Sequence, residues 1–71
     1  MHVHLIGVAG TGMSALAALL AESGDRVSGS DTAFDAPVGP YLDALGIECM
    51  PGWSSSNLDA VPDLVVVVRR T

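Results

Sequence analysis

Positive charge is scarce in this sequence. It has no lysine, and its only cations are Arg26, Arg69 and Arg70 among eight acidic residues, for a formal net charge of −5. No basic patch is therefore present to bind the backbone of a nucleic acid or an anionic membrane surface. The lysine-containing phosphate loop G-x-x-x-x-G-K-[ST] is also absent. An anionic ligand must be held mainly by backbone N–H groups.

Cysteine and long hydrophobic runs are scarce as well. Cys49 is the single cysteine, which excludes an internal disulfide, and no His/Cys spacing indicates a zinc site. The apolar run 3–8 is too short to span a bilayer and lacks the basic flank of a signal peptide. We expect a cytoplasmic protein that contains no metal site and no catalytic residue.

Glycine, by contrast, is plentiful, and three of the eight glycines lie between Gly7 and Gly12. An apolar run, Val3 to Val8, precedes this stretch and predicts a buried strand. Met13 to Glu22 follows with the periodicity of an amphipathic helix. Strand, glycine turn and helix together favour a phosphate or diphosphate at the helix N-terminus. A tight turn without a ligand is the alternative, because Ala9 stands at the second glycine position of G-x-G-x-x-G.

The rest of the chain predicts more strands and helices. Strands are expected at Val27–Asp31, Ile47–Met50 and Asp63–Val68, a short helix at Pro40–Leu45, and one or two helical turns at 54–60. The four valines of the last strand suit a central parallel strand. Right-handed crossovers between four parallel strands give the order 3-2-1-4. We therefore predict an α/β fold, a truncated Rossmann-like parallel sheet flanked by helices.

Five further residues leave alternatives open. Asp31, at the end of the second strand, either accepts hydrogen bonds from ribose hydroxyls or caps its own loop. His4 is either a buried polar group near the ligand or a residue at the start of the strand, away from it. Trp53 either stacks on a base or covers the sheet edge. Arg69 and Arg70 either reach a diphosphate or form a solvated chain end.

Segments of the sequence resemble a known family. His4 to Ala17 resembles the opening of the bacterial Mur ligases, which build peptidoglycan precursors. Val27 to Asp31 resembles the second strand of the muramate–alanine ligases of that family. Segments 37–53 and 62–66 are similar to its murein peptide ligases, which recycle cell-wall tripeptide onto UDP-N-acetylmuramate. The resemblance covers almost the whole chain and favours the murein peptide ligase group.

The resemblance implies a set of binding residues. Residues 1–71 would be the UDP-sugar-binding N-terminal part of the ligase, and the central and C-terminal domains that handle ATP and Mg would be absent. Ser30 and Asp31 would lie at the uridine. The diphosphate would be held by the glycine loop, namely Gly7, Ala9, Gly10, Thr11, Gly12 and Met13.

The function implied is binding of the UDP moiety of UDP-N-acetylmuramate, without catalysis by this segment alone. The other domains of the parent ligase would be its partners, in the bacterial cytoplasm. Three alternatives remain: the N-terminal domain of a UDP-N-acetylmuramate–L-alanine ligase, an NAD-binding domain of an oxidoreductase, or a scaffold fragment that binds no ligand.

Overall fold

The sheet topology is the one that the sequence predicts. The computed structural model describes residues 1–53 and 55–67, and its strands are all parallel in the order β3-β2-β1-β4. A short 3₁₀ helix, Ser55–Leu58, precedes the last strand. The other elements, in chain order, are β1 (His2–Ile6), α1 (Thr11–Glu22), β2 (Arg26–Asp31), α2 (Val38–Ala44), β3 (Glu48–Pro51) and β4 (Leu64–Val67).

Several element boundaries differ from the sequence-based prediction. Strand β1 ends at Ile6 instead of Val8, because Gly7 turns the chain with φ of +89°. Helix α1 starts two residues earlier than expected, at Thr11. Helix α2 includes Pro40 in its first turn, a position that tolerates proline. Predictions for residues 54 and 68–71, which include a helix cap and both terminal arginines, lie outside the described residues.

The hydrophobic core lies between one face of the sheet and the two α-helices, which contact each other. Right-handed connections that run from β1 to β2 and on to β3 place both helices on the same face. Met13 is 9% exposed and belongs to this core, as its helical spacing predicts. The fully buried apolar side chains are Val3, Leu5, Val8, Ala17 and Leu42.

Strand β4 lies at the edge of the sheet, as the predicted order requires, although its valine run taken alone favours a central strand. Its consecutive valines suit a strand flanked on both sides, yet β4 pairs only with β1 in the part of the chain described here. Leu64, Val65 and Val67 remain 48%, 39% and 59% exposed. No helix among the described residues is long and apolar enough to cross a bilayer.

Candidate functional site

The loop between β1 and α1 is held against the carboxyl end of β2. The N–H of Gly7 donates to the carbonyl oxygen of Ser30 at 2.7 Å, and the N–H of Val8 donates to the same oxygen at 3.2 Å. The N–H of Gly10 then returns to the Gly7 carbonyl at 3.1 Å and closes the turn. The positive φ of Gly7 is a backbone conformation that residues other than glycine rarely adopt. The loop therefore has one well-defined path into the helix.

Asp31 continues this attachment with its side chain. Its Oδ2 atom accepts the N–H of Ala9 at 3.0 Å, and its Oδ1 atom accepts the N–H and the hydroxyl of Thr32 at 2.7 and 3.3 Å. A carboxylate has about four acceptor positions, so one remains on this half-buried group. Asp31 thus caps its own loop, as one of the two interpretations predicts, and retains room for one ribose hydroxyl.

The start of α1 presents unused hydrogen-bond donors. The first helical bond runs from the N–H of Ser14 to the Gly10 carbonyl at 2.8 Å. The N–H groups of Thr11, Gly12 and Met13 have no acceptor among residues 1–53 and 55–67. Gly10, the N-cap, has no side chain to supply one. Such donors, together with the positive end of the helix dipole, attract an anion.

The space above these donors is open. Thr11 and Gly12 are exposed, and a Cβ built on Gly12 meets no atom within 4 Å. No acidic residue lies in the first turn of the helix. Neither sterics nor like charge on this turn would therefore keep a phosphate away.

The predicted site residues consequently fall into two groups. Thr11, Gly12 and Met13 offer free N–H groups, whereas the N–H groups of Gly7, Ala9 and Gly10 are already bonded within the chain. Those three shape the loop, and their expected contact with the diphosphate stays a prediction. The sequence pattern marks the whole loop without showing which N–H groups its path leaves free.

Ser30, which the resemblance places at the uridine, lies buried beside the loop. It is only 2% exposed and its hydroxyl lies 3.3 Å from Nε2 of His4. Its carbonyl oxygen is occupied by the loop. Ser30 supports the loop from below, and Asp31 alone of this pair stays accessible from the ligand side.

A buried polar row that sequence reasoning missed runs beneath the site. Nδ1 of His4 lies 2.8 Å from Oγ of Ser28, and Nε2 of His2 lies 2.8 Å from the same oxygen. His4 is 1% exposed and lies within hydrogen-bond distance of Ser28 and Ser30, so it is a buried polar group. Its position relative to a ligand stays a prediction. Alternate residues of a strand point to the same face of the sheet. The spacing of His2 and His4 in β1, and of Ser28 and Ser30 in β2, could therefore have indicated a shared polar row.

This row makes the stability of the fold dependent on pH. Burial lowers the pKa of His4, and the positive charge of His2 lowers that pKa further. Below about pH 6.5, His4 is protonated in the unfolded chain to a greater extent than in the folded chain. The free energy of unfolding should therefore fall from pH 6.5 downwards, until the pH passes below the folded-state pKa of His4.

Urea unfolding at pH 7.5, 6.5 and 5.5 measures this effect. We expect the midpoint to fall between pH 6.5 and 5.5, with a slope of at most about 1.4 kcal/mol per pH unit from one proton. The His4→Gln variant, which has no ring to protonate, should be less stable at pH 7.5 but should show a flatter profile. Equal slopes in the two proteins would contradict this assignment.

Side-chain chemistry suitable for catalysis is sparse around the loop. Arg26, the one lysine or arginine in the described ranges, binds Glu48 at 3.1 Å at the amino ends of their strands, opposite the loop. Burial raises the pKa of the Cys49 thiol, and Asp43 raises it further. In residues 1–53 and 55–67, no three His, Cys, Asp or Glu side chains form a metal-binding group. The free backbone N–H groups at the start of α1 are therefore the feature of the loop that is suited to an anion.

Comparison with known proteins gives one family. The family model described as "Mur ligase family, catalytic domain" matches residues 2–70. The UDP-N-acetylmuramate--L-alanyl-gamma-D-glutamyl-meso-2,6-diaminoheptandioate ligase of Escherichia coli is 39% identical over 67 residues, 94% of this chain and 15% of its own length. A UDP-N-acetylmuramate--L-alanine ligase of Treponema pallidum is 47% identical over 64 residues, 90% of this chain and 13% of its own length.

Solved structures give the same result. A murein peptide ligase from Psychrobacter arcticus superimposes with a TM-score of 0.92 at 39% identity, covering 94% of this chain and 14% of that protein. The corresponding ligase from Neisseria meningitides has a TM-score of 0.90 at 38% identity, covering 99% of this chain and 22% of its own. The chain thus spans a small part of the length of the proteins it matches.

Proposed function

Because the chain belongs to the Mur ligase family, we propose that it binds the UDP moiety of UDP-N-acetylmuramate, with the diphosphate on the N–H groups of Thr11, Gly12 and Met13. The observation that carries this proposal is the open helix start, where these N–H groups have no acceptor in the described part of the chain. In a chain with so few cations, backbone donors and the helix dipole supply the attraction for the anion.

The uridine lies beside the carboxyl end of β2. There Asp31 keeps one acceptor position for a ribose hydroxyl, and Trp53 follows β3 at the same edge with 58% of its surface exposed. The N–H of Gly52 donates to the Asp31 carbonyl at 2.8 Å, which brings the residue before Trp53 against β2. An exposed indole at this position is suited to stack on a base.

The parent protein is an ATP-dependent ligase that joins a peptide or an amino acid to the muramyl carboxylate. Both groups of relatives carry UDP-N-acetylmuramate in their names, so the proposed ligand does not depend on which group the parent joins. We favour the murein peptide ligases, and the alanine ligases are the alternative. The residues of this chain do not fit ATP, because lysine and its phosphate loop are absent. ATP and Mg then belong to domains outside this chain, and the chain alone is a binding module.

Titration calorimetry tests the ligand. We expect UDP-N-acetylmuramate and UDP to bind with similar heats, and N-acetylmuramate without the nucleotide to give none. At a hundredfold excess over Kd, the ligand should stabilise the fold by about 2.7 kcal/mol. An absence of heat at millimolar UDP-N-acetylmuramate, with the fold confirmed by circular dichroism, would overturn the proposal. Enhanced NADH fluorescence in its place would favour an NAD-binding domain.

A further inference from the structure

We propose that Asp31 is a positioning residue of the phosphate site. Its carboxylate binds the N–H of Ala9 and so fixes the peptide units that lead into the first turn of α1, where the free N–H groups lie. The inference rests on the proposed function for its ligand. It assigns to Asp31 a task that is distinct from touching the nucleotide.

Three consecutive N–H groups of the loop attach to two consecutive residues of β2. The N–H groups of Gly7 and Val8 both reach the Ser30 carbonyl, and the N–H of Ala9 reaches Oδ2 of Asp31 at 3.0 Å. The first two bonds use only the backbone of β2, so they do not depend on the side chain at position 30. The third bond is the only one of the set that depends on a side chain.

The Asp31 side chain is itself held in place. Its second oxygen accepts the backbone N–H of Thr32 at 2.7 Å and the Thr32 hydroxyl at 3.3 Å. The carboxylate is therefore fixed at both oxygens, and hydrogen bonds to an ionised acceptor are stronger than neutral ones. Ala9 is followed by Gly10, the N-cap, which has no side chain to stabilise the helix start. The direction of the free donors thus depends on how firmly Ala9 is held.

Three roles for Asp31 lead to different results with two probes. Inorganic pyrophosphate has the diphosphate but lacks the ribose and the base. If Asp31 positions the loop, the Asp31→Ala substitution weakens the binding of pyrophosphate as well as that of UDP, on the order of tenfold for pyrophosphate, and a lost ribose contact adds a further loss for UDP only. If Asp31 only accepts a ribose hydroxyl, the substitution weakens the binding of UDP and leaves that of pyrophosphate unchanged. If Asp31 is only a nearby negative charge, both probes bind more tightly after its removal.

The experiment compares the unsubstituted chain, called the parent chain below, with the variants Asp31→Ala, Asp31→Asn and Asp35→Ala. Asn retains an oxygen that can accept the Ala9 N–H, so Asp31→Asn should recover part of the affinity lost in Asp31→Ala. Asp35→Ala removes the same charge from an exposed position and should bind both probes as the parent does. Circular dichroism verifies that each variant is folded, and Asp31→Asn serves if Asp31→Ala does not fold.

Hydrogen exchange of the Ala9 amide supplies a readout without ligand. In Asp31→Ala it should exchange at least about tenfold faster than in the parent, while the Gly7 amide, held by backbone, should change little. Unchanged exchange at Ala9, weakening of UDP alone, or tighter pyrophosphate binding would overturn the positioning role. If the parent chain binds neither probe but the Ala9 amide exchanges faster in Asp31→Ala, the proposed function is contradicted. The attachment of the loop by Asp31 is then still supported.

Discussion

The Gly12→Asp variant is expected to fold at least as well as the parent and to lose most of its affinity for UDP-N-acetylmuramate. Gly12 is the second residue of α1, and a Cβ placed there meets nothing within 4 Å. Replacing a helical glycine by alanine typically stabilises by roughly 0.5–1 kcal/mol, and replacing it by aspartate stabilises by only roughly 0.3 kcal/mol. A carboxylate in the first turn adds about 0.3–1 kcal/mol through the helix dipole. The substitution therefore favours the fold while it adds a negative charge to the turn that carries the proposed anion site.

The loss of affinity follows from charge. At about 4 Å, each pair of like charges costs from about 1 kcal/mol in water to about 4 kcal/mol near a protein surface. A diphosphate carries more than one charge, so we expect binding to weaken by at least about a hundredfold. Calorimetry measures the affinity, and urea unfolding measures the stability.

Gly12→Asn is the matched control, because its side chain has nearly the same size and no charge. It should bind far better than Gly12→Asp, so the difference between the two variants isolates the electrostatic part. Parent-like affinity in Gly12→Asp would show that the diphosphate does not lie at this turn. A large loss of stability would contradict the open space above Gly12.

The second large effect is expected from Gly29→Ala, which should destabilise the fold by about 3 kcal/mol, the upper part of the usual overpacking range. Gly29 lies in the buried centre of β2, and a Cβ there would stand 2.5 Å from Cβ and Cγ1 of Val8. Val8 is fully buried and belongs to the loop. The new methyl group must push Val8 outwards, and we expect the phosphate site to be displaced with it.

Urea unfolding of Gly29→Ala tests this, with Gly12→Ala as a control that adds the same methyl group in open space. Gly12→Ala should be as stable as the parent or more stable. Adding Val8→Ala to Gly29→Ala should restore only part of the stability, because the close Cβ of residue 8 remains. Parent-like stability of Gly29→Ala would mean that the loop does not rest on β2 as described.

The fold could be predicted from sequence to a large extent, since its signals are local. Apolar runs mark the strands, helical periodicity marks α1, and the handedness of crossovers then leaves the order that is observed. The same order places β4 at the edge of a four-stranded sheet, as observed, although its consecutive valines taken alone favour a strand with two neighbours.

The loop that carries the candidate site could be predicted from the sequence, but its free N–H groups could not. The strand–glycine–helix pattern identifies the loop, yet the free donors depend on contacts between residues far apart in the chain. One such contact joins Asp31 to Ala9, and another joins Ser30 to His4. Both depend on the register of β1 with β2. Periodicity within one strand does not report that register, so Ser30 was expected at the ligand and lies buried beneath the loop.

The central claim is that the diphosphate binds to three backbone N–H groups at the start of α1. Titration of the ¹⁵N-labelled chain with UDP-N-acetylmuramate, followed by amide NMR, tests it most directly. The account predicts that the largest downfield shifts occur at Thr11, Gly12 and Met13, with smaller changes at Gly7 and Gly10, whose N–H groups are bonded within the loop. Saturable binding whose largest shifts lie elsewhere, with the Gly12 amide unmoved, would contradict it.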